Sequence, residues 1–271
     1  MRKFGWIPEP GDIRDKPLSV SPRLSLPLEV DTRNHCTPSE NQTVTSSCVG
    51  QASASDIEQC DNMDGGYTEV SALFIYWCAR ARQGWENRDE GCFIRDAIKS
   101  MASTGVASQA SWPFDPKRVN VKPSDAAFED AKKKIVGEYY RIDSPDRLYK
   151  LKVALASGYP VVFGISVYDS FMSDHATRTG VIPLPKQTER LLGGHAIKAV
   201  GYRNGFIIFQ NSWGTGWGEN GFGFLPEKFI EDDNLSNDYW GITKGGFIEG
   251  QFKPLRWYSR LWGYLRSWFI W

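Results

Sequence analysis

Cys48 is the residue of this sequence best suited to nucleophilic chemistry on a carbonyl group. It follows Ser46 and Ser47, two good helix N-cap residues, and opens a stretch with a helical pattern. A thiol in the first turn of a helix lies near the positive end of the helix dipole, which favours the thiolate. By itself the pattern is more often that of a buried core cysteine than of a catalytic one, so a second group is needed.

An imidazole must accept the thiol proton and later return it to the leaving group. The sequence offers three histidines, namely His35, His175 and His195. His195 follows Gly193 and Gly194, which leave room for a substrate backbone, and it opens an apolar strand pattern. A hairpin to the next strand would bring Asn211 beside it as an orienting acceptor. A satisfied core histidine and a turn asparagine are the alternatives, and the other two histidines are interpreted as surface residues.

Acyl transfer also needs donors for the oxyanion. The backbone N–H of Cys48 at the helix start is one candidate, and the side-chain amide of Gln42, six residues upstream, is another. An ordinary polar loop residue is the alternative interpretation of Gln42.

The hydrophobic pattern divides the chain into a helical part and a sheet part. Helices are predicted at about 48–62, 69–84, 92–104, 123–134 and 145–157, and strands at 161–168, 194–202, 205–213 and 221–225. This division indicates an α+β fold with two halves that meet at a cleft. We therefore expect one domain over 31–250, with a helical half at about 31–134 and a sheet half at about 135–250.

Taken together, these motifs resemble the papain-like cysteine protease family. The matches are Gln42 with Ser47-Cys48, then GGHA at 193–196, then NSWGTGWGENGFGF at 211–224. His195 follows Cys48 by 147 residues (195 − 48), within the range of about 130–150 typical of this family. Asn211 follows by 163 (211 − 48), slightly beyond that range. Weaker similarity extends from about Trp6 to Thr243. These segments resemble the short prokaryotic or viral branch of the family, which lacks the usual helical prosegment.

The resemblance implies a papain-like fold, with a helical left half, an antiparallel β-sheet or barrel as the right half, and the active-site cleft between them. Cys48 would be the nucleophile, His195 the general base and acid, Asn211 its orienting partner, and Gln42 part of the oxyanion hole. Trp213 would shield the His–Asn bond, and Trp217 would line the leaving-group side. The other residues expected at the substrate are Gly91, Cys92, Phe93, Gly193, Gly194, Ala196 and Asp238.

The sequence departs from the family beside the nucleophile. The usual disulfide-forming cysteine three residues earlier is replaced by Thr45, and the usual tryptophan after the nucleophile by Val49. The first change removes a covalent link, and the second alters packing but not the chemistry.

Both termini differ in character from the rest of the chain. Residues 1–30 are rich in proline and lack periodicity, so they are expected to form an extended arm that covers the cleft in part. They are too short and too proline-rich for the family's helical prosegment. Residues 251–271 are aromatic and basic, and their segment 255–271 could contact a membrane or a partner, or simply pack on the body.

Composition limits the remaining functions. Lys plus Arg equals Asp plus Glu at 32 each, so no charge excess points to nucleic acid. No transmembrane run and no cleavable signal are found, which predicts a cytoplasmic protein or one exported without such a signal. We expect a monomeric cysteine endopeptidase that needs no metal or cofactor and acts on peptides or proteins. A catalytically silent binding module and an acyl-transferring effector are the alternatives.

Overall fold

The helical half is built from four helices, two of which begin at a side-chain cap. The computed structural model describes residues 3–21 and 25–243, so the tail at 251–271 lies outside the described residues. The helices of this half are α1 (Cys48–Met63), α2 (Ala72–Ala81), α3 (Ile94–Ser103) and α4 (Asp125–Ala131). Ser71 Oγ accepts from Phe74 N at 3.1 Å and Ser124 Oγ accepts from Ala127 N at 3.2 Å, so two of these helices begin at capping serines, as N-cap preferences predict.

An antiparallel sheet forms the other half. Its strands are β1 (Val30–Asp31), β2 (Glu138–Ile142), β3 (Val161–Tyr168), β4 (Leu191–Arg203), β5 (Phe206–Gln210), β6 (Phe222–Pro226) and β7 (Ser236–Thr243). They follow the order β2-β7-β3-β4-β5-β6, and β1 pairs with β4. Within the described residues the sheet is open, so the barrel alternative is wrong. The reason is topological, since β2 and β6 lie at opposite ends of the order.

Three further helices accompany the sheet. They are α5 (Arg147–Ala156), α6 (Asp174–Thr179) and α7 (Glu227–Glu231). Helix α5 begins two residues later than predicted and packs on the sheet with Leu151, Ala154 and Leu155 inside its core. The helix predicted at 69–84 is shorter at both ends, because Ser71 caps α2 at its start and the helix ends at Ala81.

The seam between the halves is an apolar cluster shared by helices and strands. Cys48 and Val49 of α1 lie in one cluster with Val162 of β3, Ala196 of β4 and Trp240 of β7. Because the first turn of α1 packs directly on the sheet, the residues at the start of α1 and in the middle of β4 are held in fixed relation.

The N-terminal arm lies along this seam and is fixed by buried ion pairs. Arg95 of α3 contacts Asp15 at 2.6 Å, and Arg141 of β2 contacts the same carboxylate at 3.1 Å. Backbone hydrogen bonds join Leu18 N to Arg141 O at 2.7 Å and Arg141 N to Lys16 O at 2.8 Å. The arm is therefore bound to both halves of the molecule.

The fold is held without disulfides, since all five cysteines are free. In the part of the chain that the structure describes, no group of three or more His, Cys, Asp or Glu side chains is arranged to hold a metal ion. None of the helices described there is long and apolar enough to cross a membrane.

Candidate active site

Cys48 is the first residue of α1, as predicted, but its helix start lacks a side-chain cap. Ser47 occupies the N-cap position, yet its hydroxyl contacts Thr45 Oγ1 at 2.7 Å instead of a helix N–H. The backbone N–H groups of Ala196, Gly5, Val49 and Cys48 itself lower the pKa of the thiol. The start of α1, strand β4 and the arm thus each place a backbone donor where it favours the thiolate.

His195 and Asn211 form the side-chain pair that the hairpin predicts. The two side chains meet across β4 and the end of β5, with His195 Nε2 2.8 Å from Asn211 Oδ1. The same oxygen accepts from Ser212 N at 2.8 Å, which fixes the amide orientation. Ala196, the residue after His195, shares an apolar cluster with Cys48, and its backbone N–H lowers the pKa of the Cys48 thiol.

Trp213 covers the histidine. Its ring lies 5.0 Å from the His195 ring at 32°, and both side chains are almost fully buried. Trp217 packs edge-on against Trp213 at 5.5 Å, so it supports the cover and is itself buried. An ordered apolar cover lowers the local dielectric constant and strengthens the His–Asn hydrogen bond.

The Gln42 amide is positioned by a residue that the sequence interpretation missed. Gln42 Oε1 accepts from Ser212 Oγ at 2.7 Å, so Nε2 must point the other way. Nε2 donates to Thr45 O at 2.9 Å and to Lys3 O at 3.1 Å. A peptide carbonyl of the arm thus accepts from the amide that was predicted to bind an oxyanion. The available signal for Ser212 was its place between Asn211 and Trp213 in the NSWG run.

The arm passes between the two predicted substrate-binding walls. On one wall, Cys92 N donates to Gly5 O at 2.9 Å and Cys92 O accepts from Ile7 N at 3.2 Å. On the other wall, Gly194 O accepts from Trp6 N at 2.9 Å. The Trp6–Cys92 bridge is parallel. An extended peptide is therefore clamped by backbone hydrogen bonds from both sides.

Two wall glycines make this close approach feasible. A Cβ on Gly194 would lie 2.3 Å from the Trp6 carbonyl oxygen, and a Cβ on Gly91 would lie 2.3 Å from the Gly5 carbonyl oxygen. Gly91 also has φ +99°, which L side chains rarely adopt. Gly91 and Gly194 thus contact a peptide backbone in this structure.

The remaining predicted residues separate into two groups. Gly193 lies under the arm, because a Cβ there would be 3.0 Å from Phe4 Cβ, and the Phe4 ring is 6.3 Å from the His195 ring. Phe93 instead packs its ring 5.4 Å from Trp85. The structure therefore brings Gly193 to the arm, whereas Phe93 contacts a different part of the helical half.

The Cys48 thiol is completely buried in this structure. Cys48 is 0% exposed, and burial raises the pKa of its thiol to about 11, although the surrounding N–H groups lower it. Burial therefore favours the protonated thiol over the thiolate while the cleft is covered.

Comparison with known proteins identifies the family. The sequence profile of papain family cysteine proteases matches residues 26–233. An uncharacterized peptidase C1-like protein of Acanthamoeba polyphaga mimivirus is 41% identical over 182 residues, covering 64% of this chain and 58% of that protein. Papain of Carica papaya is 25% identical over 202 residues, covering 73% of this chain and 54% of papain.

Solved structures agree with the sequence comparisons. Xylellain, a cysteine protease from Xylella fastidiosa, matches with a TM-score of 0.81 and 33% identity, covering 89% of this chain and 95% of its own. The chain spans somewhat more than half the length of the two curated relatives above. With the profile match extending over most of its residues, the chain belongs to the papain family of cysteine proteases.

Proposed function

We propose that the chain is a cysteine endopeptidase that cleaves peptide bonds through a thioester acyl-enzyme. The observation that carries this proposal is the bond from Gln42 Nε2 to the Lys3 carbonyl of the arm, two residues before Gly5, whose backbone N–H lowers the pKa of the Cys48 thiol. The cleft binds an extended peptide backbone and presents a carbonyl oxygen to a positioned donor, which peptide hydrolysis requires.

The roles follow from the contacts. The Cys48 thiolate attacks the carbonyl carbon, and the oxygen accepts from Gln42 Nε2 and the Cys48 N–H. Because His195 Nε2 is engaged by Asn211, Nδ1 is the nitrogen that takes the thiol proton and gives it to the leaving amine. Water, deprotonated by His195, then attacks the thioester, releases the acid product and restores the thiol.

The arm supplies the regulation of this activity. Residues 1–30 form an inhibitory segment in this proposal, and residues 31–250 form the peptidase domain. Phe4, Gly5 and Trp6 occupy the cleft, and Cys48 is inaccessible beneath them. The native chain is therefore a self-blocked enzyme that becomes active when the arm leaves.

Labelling with an epoxysuccinyl thiol probe tests both the proposed peptidase activity and its inhibition by the arm. Arm-opened chains are made with Gly5→Ala, whose Cβ would lie 1.8 Å from the Ser46 carbonyl oxygen, and independently with Trp6→Ala. We expect rapid labelling and peptide cleavage in both variants and slow labelling of the native chain. When Cys48→Ala or His195→Ala is added to either variant, we expect both labelling and peptide cleavage to be lost.

The outcomes separate the competing functions. Equal labelling with and without Cys48 would reject the enzyme and favour a binding module. Fast labelling of Cys48 in the native chain would reject inhibition by the arm but would leave the proposed peptidase activity standing. Addition of amine nucleophiles distinguishes hydrolysis from acyl transfer, since both pass through the same thioester.

A further inference from the structure

The arm places one large side chain in a pocket beside the nucleophile. Trp6 is 5% exposed and belongs to the same apolar cluster as Cys92, Val162, Ala196 and Trp240. A Cβ on Gly164 would lie 1.9 Å from Trp6 Cε2, so the indole lies flat against the backbone of β3. The absence of a side chain at position 164 is what makes the pocket large enough for a bicyclic ring.

The end of this pocket is polar. Asp238 is 2% exposed, and its Oδ2 accepts from Trp6 Nε1 and from Glu9 N, both at 3.0 Å. Its Oδ1 lies 3.4 Å from a guanidinium nitrogen of Arg141. Burial raises the pKa of this carboxyl, while the hydrogen bonds from the arm and the charge of Arg141 lower it.

Departure of the arm removes both donors from Oδ2 at once. A buried carboxylate oxygen without a donor is unfavourable, and a site built to bond an N–H group discriminates strongly against a ligand that lacks one. The indole N–H of a substrate tryptophan would restore the bond that Trp6 makes. Phenylalanine and leucine could fill part of the volume but would leave the oxygen without this donor.

The charge around Asp238 argues against a cationic substrate side chain. Arg141 is 3% exposed and already contacts Asp238, so the carboxylate has a buried counter-ion. Arg95 is 5% exposed and also lowers the pKa of Asp238 through its charge. A lysine or arginine in the pocket would add a further cation to a region where the negative charge is already compensated.

We propose that this pocket selects a tryptophan side chain of the peptide substrate, with Gly164 providing the space and Asp238 accepting the indole N–H. This specificity rests on the proposed peptidase function. The arm's Trp6 is then an internal occupant of the pocket that a substrate tryptophan replaces.

Matched peptides test the hydrogen bond without altering the protein's pocket. In full-length Gly5→Ala, kcat/KM is measured for peptides with tryptophan, 3-benzothienylalanine, phenylalanine, leucine or arginine at each of three positions before the cleaved bond. Benzothienylalanine keeps the bicyclic shape and lacks the N–H. We expect tryptophan to exceed it by at least about tenfold at one position, as typical for loss of a buried hydrogen bond.

Two results would overturn the proposal. Equal kcat/KM for the tryptophan and benzothienylalanine peptides would show that the pocket recognises shape alone. A higher kcat/KM for the arginine peptide would show that it recognises charge. In a further variant, Gly164→Ala should abolish the tryptophan preference while smaller side chains remain substrates, because its methyl group enters the volume of the indole.

A binding measurement keeps this inference separate from catalysis. The affinities of the same peptides for full-length Gly5→Ala carrying Cys48→Ala are measured by calorimetry. Tighter binding of tryptophan than of benzothienylalanine by about tenfold supports the pocket even if no peptide is cleaved. Equal affinities reject the pocket inference even if cleavage occurs, so the two proposals fail by different observations.

Discussion

At the scale of single residues, the environment of Cys48 combines two opposing effects. Backbone N–H groups at the start of α1 and at Ala196 favour the thiolate, whereas complete burial favours the thiol. Burial is the larger effect. In the proposed function the arm supplies part of this burial, so we expect the reactivity of Cys48 to depend on whether the arm is in place.

The thiolate content of Cys48 should depend on the arm. Burial raises the thiol pKa to about 11, so at pH 7 the native chain should contain almost no Cys48 thiolate. We expect Trp6→Ala to expose the sulfur and reduce its desolvation, which shifts the pH midpoint of Cys48 ionisation toward neutral pH. The measurement is thiolate absorbance near 240 nm against pH, with Cys48→Ala as the subtracted reference. An unchanged midpoint would contradict the role of the arm.

Ser212 should act as a positioning residue for Gln42. Its hydroxyl holds Gln42 Oε1, so Ser212→Ala leaves the amide free to turn away from the carbonyl oxygen. In the Gly5→Ala background we expect kcat to fall about tenfold, less than the roughly 10²–10³ for loss of the donor itself in Gln42→Ala. KM should change little. Retained activity in Ser212→Thr, which keeps a hydroxyl, is the control, and an unchanged kcat in Ser212→Ala would contradict the assignment.

At the scale of elements, helix α3 does more than form part of the helical half. Arg95 on its first turn bonds Asp15 at 2.6 Å and the Pro10 carbonyl at 2.8 Å, and it pairs with Glu9. Its side chain is 6% exposed. The helix thereby holds the arm beyond the cleft, so release of the cleft segment is opposed by contacts outside it.

Removal of Arg95 should loosen the arm and the fold together. Arg95→Met leaves Asp15 and Glu9 without this partner, and breaking a buried ion pair typically costs about 3–5 kcal/mol of unfolding free energy. Urea denaturation measures the loss, and the labelling rate of Cys48 should rise at least about tenfold. Arg82→Met is the matched control, because the Arg82–Asp96 pair has a 37% exposed arginine and should contribute less than about 1 kcal/mol. Equal effects of Arg95→Met and Arg82→Met on the unfolding free energy and on the Cys48 labelling rate would contradict the role of Arg95 in holding the arm.

The sequence predicted the elements that carry the chemistry better than those that enclose it. The start of α1 at Cys48 and the β4–β5 hairpin were predictable, because helical and strand periodicity and the NSWG run carry enough information, although the capping bond expected of Ser47 is absent. Strand β7 was missed, since its segment 236–243 mixes polar residues with aromatic ones and its pairing with β3 is long-range. The contacts of Trp6 were equally inaccessible, because they are long-range, and its bond to Asp238 joins residues 232 positions apart.

At the scale of the whole molecule, the cleft is a seam between two halves that the arm crosses. Trp6 contacts β3, β4 and β7 as well as the loop before α3, so it contributes to the shared core. If this segment inhibits the enzyme as proposed, activation and stability are coupled. We therefore expect a substitution that opens the cleft to lower the free energy of unfolding as well.

Trp6→Ala should show this coupling. Truncation of a buried tryptophan typically costs about 3–5 kcal/mol, reduced here to the extent that water can enter the emptied pocket. We expect a lower Tm together with faster labelling of Cys48. Trp77→Ala is a comparison in a different apolar cluster, where the tryptophan packs on Phe128. Trp77→Ala should lower the Tm without opening the cleft. Equal rates of Cys48 labelling in Trp6→Ala and Trp77→Ala would contradict the coupling between arm release and stability.

The backbone connection between the arm and strand β1 has a kinetic consequence. Because Trp6 is linked through the chain to Val30, which pairs with Tyr202 on β4, the arm re-encounters the cleft as a tethered ligand. Tethering over such short lengths gives effective concentrations in the millimolar range. We expect that dilution does not relieve the proposed inhibition and that a free peptide at micromolar concentration competes poorly with the arm. In this proposal, lasting activation requires severing the tether or capturing the arm in trans.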